Sequence, residues 1–313
     1  MNPKILVVRG GAIGDFILTL PVLSALRANF PRVGLEVLGY PNIACLASAA
    51  GLADRVEAIE ARSLAGFFAR GGDLDPKLVQ YFSGFEIIIS YLYDPDFIFQ
   101  TNLALSSRAQ FIAGPHRPPA DPKAHATDAF LKPLERLAIF GADPIPRLPP
   151  KIEAAGAVPR ETFCLAAHPG SGSEHKNWPE PLWADLLAHL AEATPWKLLL
   201  VGGEAEGTRL ARLAAVWPAD RVEILQGLAL PELATRLRGC DFYLGHDSGI
   251  THLAAAVSLP GLVLWGASDR EIWQPRGPAM ELLHSPDGLP CLEVATVLKA
   301  TLRLAGRPGP KLP

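Results

Sequence analysis

Short apolar runs alternate with amphipathic runs from one end of the chain to the other, and the pattern occurs twice. A strand-length apolar run followed by a helix-length amphipathic run is the signature of a βαβ unit, and a succession of them builds a parallel sheet. In the first half, strands are predicted at Lys4–Val8, Leu35–Leu38, Val56–Ile59, Glu86–Ser90 and Gln110–Ala113. A helix is predicted over Asp15–Asn29, with Phe16, Leu20, Leu23 and Leu26 on one face and a kink or early break at Pro21. Ala126–Ile139 reads as a second helix.

Between Gly141 and Arg160 the pattern lapses into a segment with five prolines and no period, which reads as a linker. The pattern then restarts. Strands are predicted at Phe163–Ala167, Lys197–Val201, Val222–Leu225, Phe242–Leu244 and Leu262–Trp265. Helices are predicted from Pro179 through Glu192, over Thr208–Val216 and over Leu292–Leu304. A chain of 313 residues exceeds what one core usually supports. The expectation is an α/β protein of two Rossmann-like domains, residues 1–150 and 151–313. Parallel sheets bind ligands outside the carboxyl ends of their strands, so two such edges facing one another form a central cleft.

Composition excludes several classes. With 49% apolar and 19% charged residues, the chain can bury two cores and is no disordered polymer. A formal charge of −3 argues against a nucleic-acid partner. Cys45, Cys164, Cys240 and Cys291 show no metal-ligand spacing and read as reduced thiols of a cytoplasmic protein. The run Ile5–Val8 is too short for a signal peptide, and no apolar stretch reaches the ~20 residues of a membrane span. Composition leaves peripheral contact with a membrane surface open.

Four segments carry chemistry. The first is Arg9-Gly10-Gly11-Ala12-Ile13-Gly14-Asp15, a glycine turn from strand to helix. Asp15 at the helix start reads equally well as a capping carboxylate or as a base. The spacing is GGxxG rather than GxGxxG, and the second strand ends on Gly39 where a dinucleotide site wants an acid. A nicotinamide oxidoreductase is thereby demoted. The second is the loop His168-Pro169-Gly170-Ser171-Gly172-Ser173-Glu174-His175-Lys176-Asn177-Trp178-Pro179. Backbone N–H groups, serine hydroxyls and one ammonium make it an anion cradle, although it lacks the Walker A pattern. The third, Gly245 to Ala256, carries His246, Asp247, Ser248, Gly249, Thr251 and His252 at a strand end. The His246 and His252 spacing does not match a zinc helix, so no metal is expected. The fourth is Gly202-Gly203-Glu204-Ala205-Glu206. There an acid after a strand suits either a ribose diol or a solvated helix start.

Together these segments resemble glycosyltransferase family 9, the ADP-heptose:lipopolysaccharide heptosyltransferases and their relatives, over nearly the whole chain. The resemblance rests on ILVVRGGAIGDFILTLPVLSALRANFP, HPGSGSEHKNWPEPLWADL, VGGEAE and LGHDSGITHLAAAVSLPGLVLWGASD, in that order. It implies the GT-B fold, with an N-terminal acceptor domain and a C-terminal donor domain. It also implies inverting transfer, without metal or cofactor, from a nucleotide-sugar donor to a glycan such as lipopolysaccharide core, in the cytoplasm or at the inner membrane face. By the resemblance, Asp15 is the general base and Lys176 contacts the donor diphosphate. Ser171, Gly172 and Ser173 lie near the phosphates, and Glu204 holds the ribose. Asp247, Ser248, Gly249, Thr251 and His252 surround the diphosphate and sugar. On the acceptor side the candidates are Arg9, Gly14, Asp94 and His125. Asp94 lies in SYLYDPDFIFQTN, which stands where many members carry a DLQG-like segment, and His125 begins an HxxD pattern with Asp128. Arg117 and Lys123 are further basic residues that an anionic acceptor could touch. A competing class is a non-catalytic nucleotide-sugar-binding protein of the same fold, against which the retained Asp15 and Lys176 weigh.

Overall fold

The computed structural model describes residues 3–119, 123–149, 162–203, 206–277, 279–285 and 287–306. The chain divides into two compact units, Met1–Lys151 and Ile152–Pro313. Most of the predicted linker, from Pro150 to Arg160, lies outside the described residues, as does the tail beyond Gly306. Ahead of Pro150, Arg147 pairs with Asp143 at 2.8 Å and Leu148 is buried.

The first unit is a five-stranded sheet of β1 (Lys4–Arg9), β2 (Gly34–Gly39), β3 (Arg55–Ala58), β4 (Ile87–Ser90) and β5 (Gln110–Ala113). The strand order is β3-β2-β1-β4-β5, parallel throughout. The second unit is a six-stranded sheet of β6 (Cys164–His168), β7 (Lys197–Gly202), β8 (Val222–Gln226), β9 (Phe242–His246), β10 (Gly261–Trp265) and β11 (Met280–His284). Its order is β11-β10-β9-β6-β7-β8, again parallel. Both orders are the doubly wound arrangement, with the direction of winding reversing once. The reversal falls between β1 and β4 in the first unit and between β6 and β9 in the second. The fold is α/β, as the alternation predicts.

The apolar runs become the centres of the sheets. Ile5–Val8 and Leu165–Ala167 are almost wholly buried, as strands covered by helices on both faces must be. In the first unit, Leu6, Val8 and Ile88 pack with Phe67, Phe82 and Phe99. In the second, Trp178, Trp183, Leu186 and Leu190 pack with Leu210 and Trp217.

Beyond the helices Pro41–Ala49, Pro76–Phe82, Ile98–Ser106 and Leu230–Arg238, which the pattern does not predict, three elements differ from the sequence expectation. The predicted helix Asp15–Asn29 is two helices, Ile13–Ile17 and Leu20–Asn29, with Pro21 in the first turn of the second. Proline has no N–H to donate, so the break falls just ahead of it, where the Thr19 hydroxyl donates to the Asp15 carbonyl at 2.8 Å. The predicted helix Ala126–Ile139 is α-helical only over Ala126–Leu131 and tightens to a 3-10 turn over Lys132–Leu137, which contains Pro133. Strand β11 escapes the sequence reading because it is an edge strand with half-exposed residues and no continuous apolar run.

Pairing β6 with β9 also brings Cys164 and Cys240 together, with sulfurs 3.6 Å apart, although they are far apart in sequence. Among the described residues, no helix is long and apolar enough to cross a membrane.

The central strands carry the stability of each unit. Leu6→Ala, at a fully buried position in β1, is expected to destabilise by about 2–5 kcal/mol. Leu105→Ala, on a helix surface, should change stability by less than about 0.5 kcal/mol. Urea unfolding followed by circular dichroism measures both, and equal shifts would contradict the placement of the core.

Candidate functional site

In the second unit, the polar residues gather where the strand order reverses. β6 ends at His168 and β9 ends at His246, side by side, with His168 in register with Gly245. The loop from Pro169 to Pro179 leaves the first strand, and Asp247-Ser248 leaves the second. Ser248 caps the helix Gly249–Ala256, its hydroxyl accepting the Thr251 N–H at 3.3 Å. Gly249, Thr251 and His252 form the first turn of that helix, whose free N–H groups and dipole favour an anion.

Lys176 crosses from its loop to Asp247, with Nζ to Oδ2 at 2.7 Å. Ser268, in the loop after β10, donates its hydroxyl to the same oxygen. Under these groups lies a buried chain of hydroxyls. Tyr243 Oη is 2.9 Å from Thr251 Oγ1, Thr251 donates to the His246 carbonyl, and Ser248 Oγ lies 3.3 Å from His168 Nδ1.

His246 is wholly buried and holds the lysine loop in place. Its Nε2 accepts from the Trp178 backbone N–H at 2.9 Å and from the Trp183 indole N–H at 3.1 Å. A nitrogen that accepts two N–H bonds carries no proton, so the proton of the neutral ring sits on Nδ1. Burial pushes His246 down to about 3 and His168 down to about 4. The loop is fastened from outside as well. Glu174 lies 3.5 Å from Arg209, which also lies 3.4 Å from Glu180 at the start of the following helix.

The cradle closes on itself through Ser171, whose hydroxyl donates to the Ser173 carbonyl at 2.7 Å. Gly172 faces open space. Gly170 is crowded: a Cβ there would meet the Glu206 carboxylate at 1.8 Å. Glu206 accepts the Gly203 N–H at 2.5 Å and so sits over the turn at the end of β7. Glu204, the residue expected to hold a ribose, lies outside the described residues.

In the first unit, Asp15 lies in the first turn of the helix Ile13–Ile17, together with Gly14. Its Oδ2 accepts the Ala12 N–H at 3.0 Å, so the capping part of its reading is real. The side chain keeps 30% of its surface, and its Oδ1 stands 3.7 Å from Arg9. Gly11 makes this possible: its φ is +100°, and a Cβ there would meet the Asp15 carboxylate at 2.9 Å. Arg9 itself is buried. It donates to the carbonyls of His116 at 3.0 Å and Asp15 at 3.3 Å and lies over the Phe130 ring at 4.5 Å. Burial lowers its pKa against the opposing pull of Asp15.

Asp94 and His125 have local duties. Both Asp94 oxygens accept backbone N–H groups, from Phe99 at 3.2 Å and Gln100 at 3.0 Å, at the start of the helix Ile98–Ser106. His125 caps the helix Ala126–Leu131, its Nδ1 accepting the Thr127 N–H at 3.2 Å.

Ser268 and Glu206 are assigned no individual role from sequence, although they lie within the segments LVLWGASD and VGGEAE, respectively. Among the described residues, no three His, Cys, Asp or Glu side chains are grouped to hold a metal ion.

The buried neutral histidines set a pH dependence. Their folded values lie below the ordinary 6.5, so their contribution to stability is complete above about pH 6.5. It is lost as the pH falls toward 4 and 3, because the unfolded state takes up protons first. The urea midpoint should be lower at pH 5 than at pH 7.5, and the drop should be smaller in His246→Gln. A midpoint that is flat between these values would contradict the burial.

Comparison with known proteins fits this geometry. Residues 149–301 match the family described as glycosyltransferase family 9 (heptosyltransferase). Lipopolysaccharide heptosyltransferase 1 of Salmonella typhimurium is 33% identical over 101 residues, which cover 31% of this chain and 30% of that protein. The matched stretch thus spans about a third of the length of that curated relative. Among solved structures, a family 9 glycosyl transferase from Veillonella parvula aligns with a TM-score of 0.77 at 18% identity, covering 97% of each chain. The E. coli heptosyltransferase WaaC with ADP aligns with a TM-score of 0.71 at 19% identity, covering 96% of this chain and 99% of that one. Residues 149–301 are thus similar to glycosyltransferase family 9, heptosyltransferase-like, and the two parallel-sheet units have the fold of the GT-B class.

Proposed function

We propose that the chain is an inverting, metal-independent glycosyltransferase. It takes a sugar, heptose by its resemblance, from a nucleotide donor such as ADP-heptose and transfers it to a cell-envelope glycan such as lipopolysaccharide core. The observation that carries this reading is the convergence of Lys176, Asp247 and the Ser248-capped helix at the strand reversal of the second unit. A structural neighbour, the E. coli enzyme WaaC, was solved with ADP.

In this reading the second unit binds the donor and the first unit binds the acceptor. The acceptor hydroxyl loses its proton to Asp15, and its oxygen attacks the anomeric carbon from the face opposite the leaving group. The bond from that carbon to the phosphate oxygen breaks, and its electron pair leaves with the nucleoside diphosphate. No covalent enzyme intermediate forms, so the configuration inverts. The charge that develops on the leaving phosphate is met by the Lys176 ammonium and by the N–H groups at the head of the helix Gly249–Ala256. Glu204 or Glu206, both after β7, would face the ribose. The work takes place in the cytoplasm, with the acceptor presented at the inner membrane face.

Two substitutions separate the roles. Asp15→Asn keeps a side chain that can accept the Ala12 N–H but removes the base. It should lower kcat by about a hundredfold or more while ADP binding stays within twofold. Lys176→Ala should lower kcat/KM for the donor by about 10²–10³. Transfer measured by mass spectrometry of the glycan product, with calorimetry for ADP, checks both, and EDTA should leave the wild-type rate unchanged. Loss of ADP binding in Asp15→Asn would make Asp15 a structural cap only.

A further inference from the structure

Asp247 takes two donors on one oxygen. Lys176 Nζ and the Ser268 hydroxyl both donate to Oδ2, and among the described residues Oδ1 has no protein donor. Ser268 is held on both sides. Its carbonyl accepts the indole N–H of the fully buried Trp265 at 2.7 Å. The next residue, Asp269, caps a helical turn by accepting the Glu271 N–H at 3.1 Å. The hydroxyl is therefore placed by the fold of the loop after β10.

An aspartate carboxylate rotates freely about its last torsion. Lys176 alone fixes it poorly, because a lysine ammonium is a point charge on a flexible stem and this side chain is 44% exposed. A second donor on the same oxygen fixes the plane and directs Oδ1 outward. A carboxylate repels a diphosphate, and Lys176 offsets that repulsion only on the oxygen it holds. The remaining oxygen suits a neutral donor group, and in a nucleotide sugar that group is a sugar hydroxyl.

We propose that Ser268 is a positioning residue for the sugar end of the donor. It holds Asp247 so that Oδ1 accepts a sugar hydroxyl while Lys176 stays at the phosphates. The inference rests on the reading of the second unit as a donor site. It adds a requirement for Ser268 that is specific to sugar-bearing ligands.

The test compares binding of ADP and ADP-heptose to the full chain by calorimetry, for wild type, Ser268→Ala and Ser268→Thr, together with kcat and donor KM. Ser268→Ala should weaken ADP-heptose binding about tenfold, the effect of losing one well-placed bond to a charged group, and leave ADP binding within twofold. Ser268→Thr, which keeps the hydroxyl, should restore the wild-type preference. Equal weakening for both ligands would mean a merely structural loop residue and would overturn the proposal. So would an unchanged preference in Ser268→Ala, or a wild type that does not favour the sugar-bearing ligand. A wild type that binds neither ligand removes the donor-site reading itself, and this inference with it.

Discussion

The reversal of strand order between β6 and β9 is the constraint on which the rest of the second unit depends. Strands on either side of it send their connections to opposite faces of the sheet, so the strand ends there are left uncovered. Backbone N–H groups at a helix start and side chains at two strand ends meet in that opening. The chain fills it with His168, His246, Asp247, Ser248 and Thr251, all nearly buried. Polar groups at that depth are costly unless bonded, and each of these has a partner: Ser248 to His168, Thr251 to Tyr243, His246 to two tryptophan N–H groups, Asp247 to Lys176. The network is thus forced by the topology and also fixes where an anion can be held. Trp178 and Trp183 belong to the core on one side and to His246 on the other, so the position of the lysine loop is tied to core packing.

The first unit meets the same constraint with the opposite charge arrangement. At its reversal, between β1 and β4, the cation is buried and the carboxylate is the accessible group. Arg9 is spent on carbonyls of Tyr91, His116 and Asp15 and on the Phe130 ring, which offset the cost of burying a guanidinium. Arg9 therefore fixes the turn that carries Asp15 rather than reaching outward. Tyr91 is fixed from below by donating its hydroxyl to the Phe130 carbonyl at 2.6 Å. One unit thus presents an ammonium and a helix start, the other a carboxylate, from nearly the same sheet topology.

Much of this was legible in the sequence because it depends on local pattern. Among the described residues, ten of the eleven strands announced themselves as apolar runs, and the glycine turn at Gly11, the lysine loop and the capped helix at Ser248 all follow from residue types at strand ends. The illegible parts depend on contacts between distant residues. From sequence, His246 reads only as one member of a polar cluster at a strand end, with no metal expected, and the fold places Trp178 and Trp183 against it. Ser268 lies within LVLWGASD but has no role of its own in the sequence reading, since it meets Asp247 only across the neighbouring strand end. Asp94 reads as an acceptor-side candidate in an unusual segment, yet Phe97 takes a left-handed backbone (φ 54°) that turns two N–H groups onto its carboxylate. The helix at Ala126 was overextended because its apolar period continues past Pro133, where the α-helical bonding cannot.

The Lys176–Asp247 pair is suited to its place because it is weak. Lys176 is 44% exposed while Asp247 is nearly covered, so water screens the ammonium and the pair contributes on the order of 0–1 kcal/mol to folding. A fully buried pair would be rigid and expensive to disturb, and a diphosphate could not draw on its cation without leaving a buried anion unpaired. Here the second donor on Asp247, Ser268, would keep that carboxylate satisfied if the ammonium turned toward a diphosphate as proposed. The exposed half of the pair is free to respond to charge, and the covered half holds the geometry. A lysine moved further inward would gain coupling to Asp247 and lose the capacity to serve phosphate. The partial exposure of Lys176 is set by a loop that His246 holds from within and Arg209 contacts from outside.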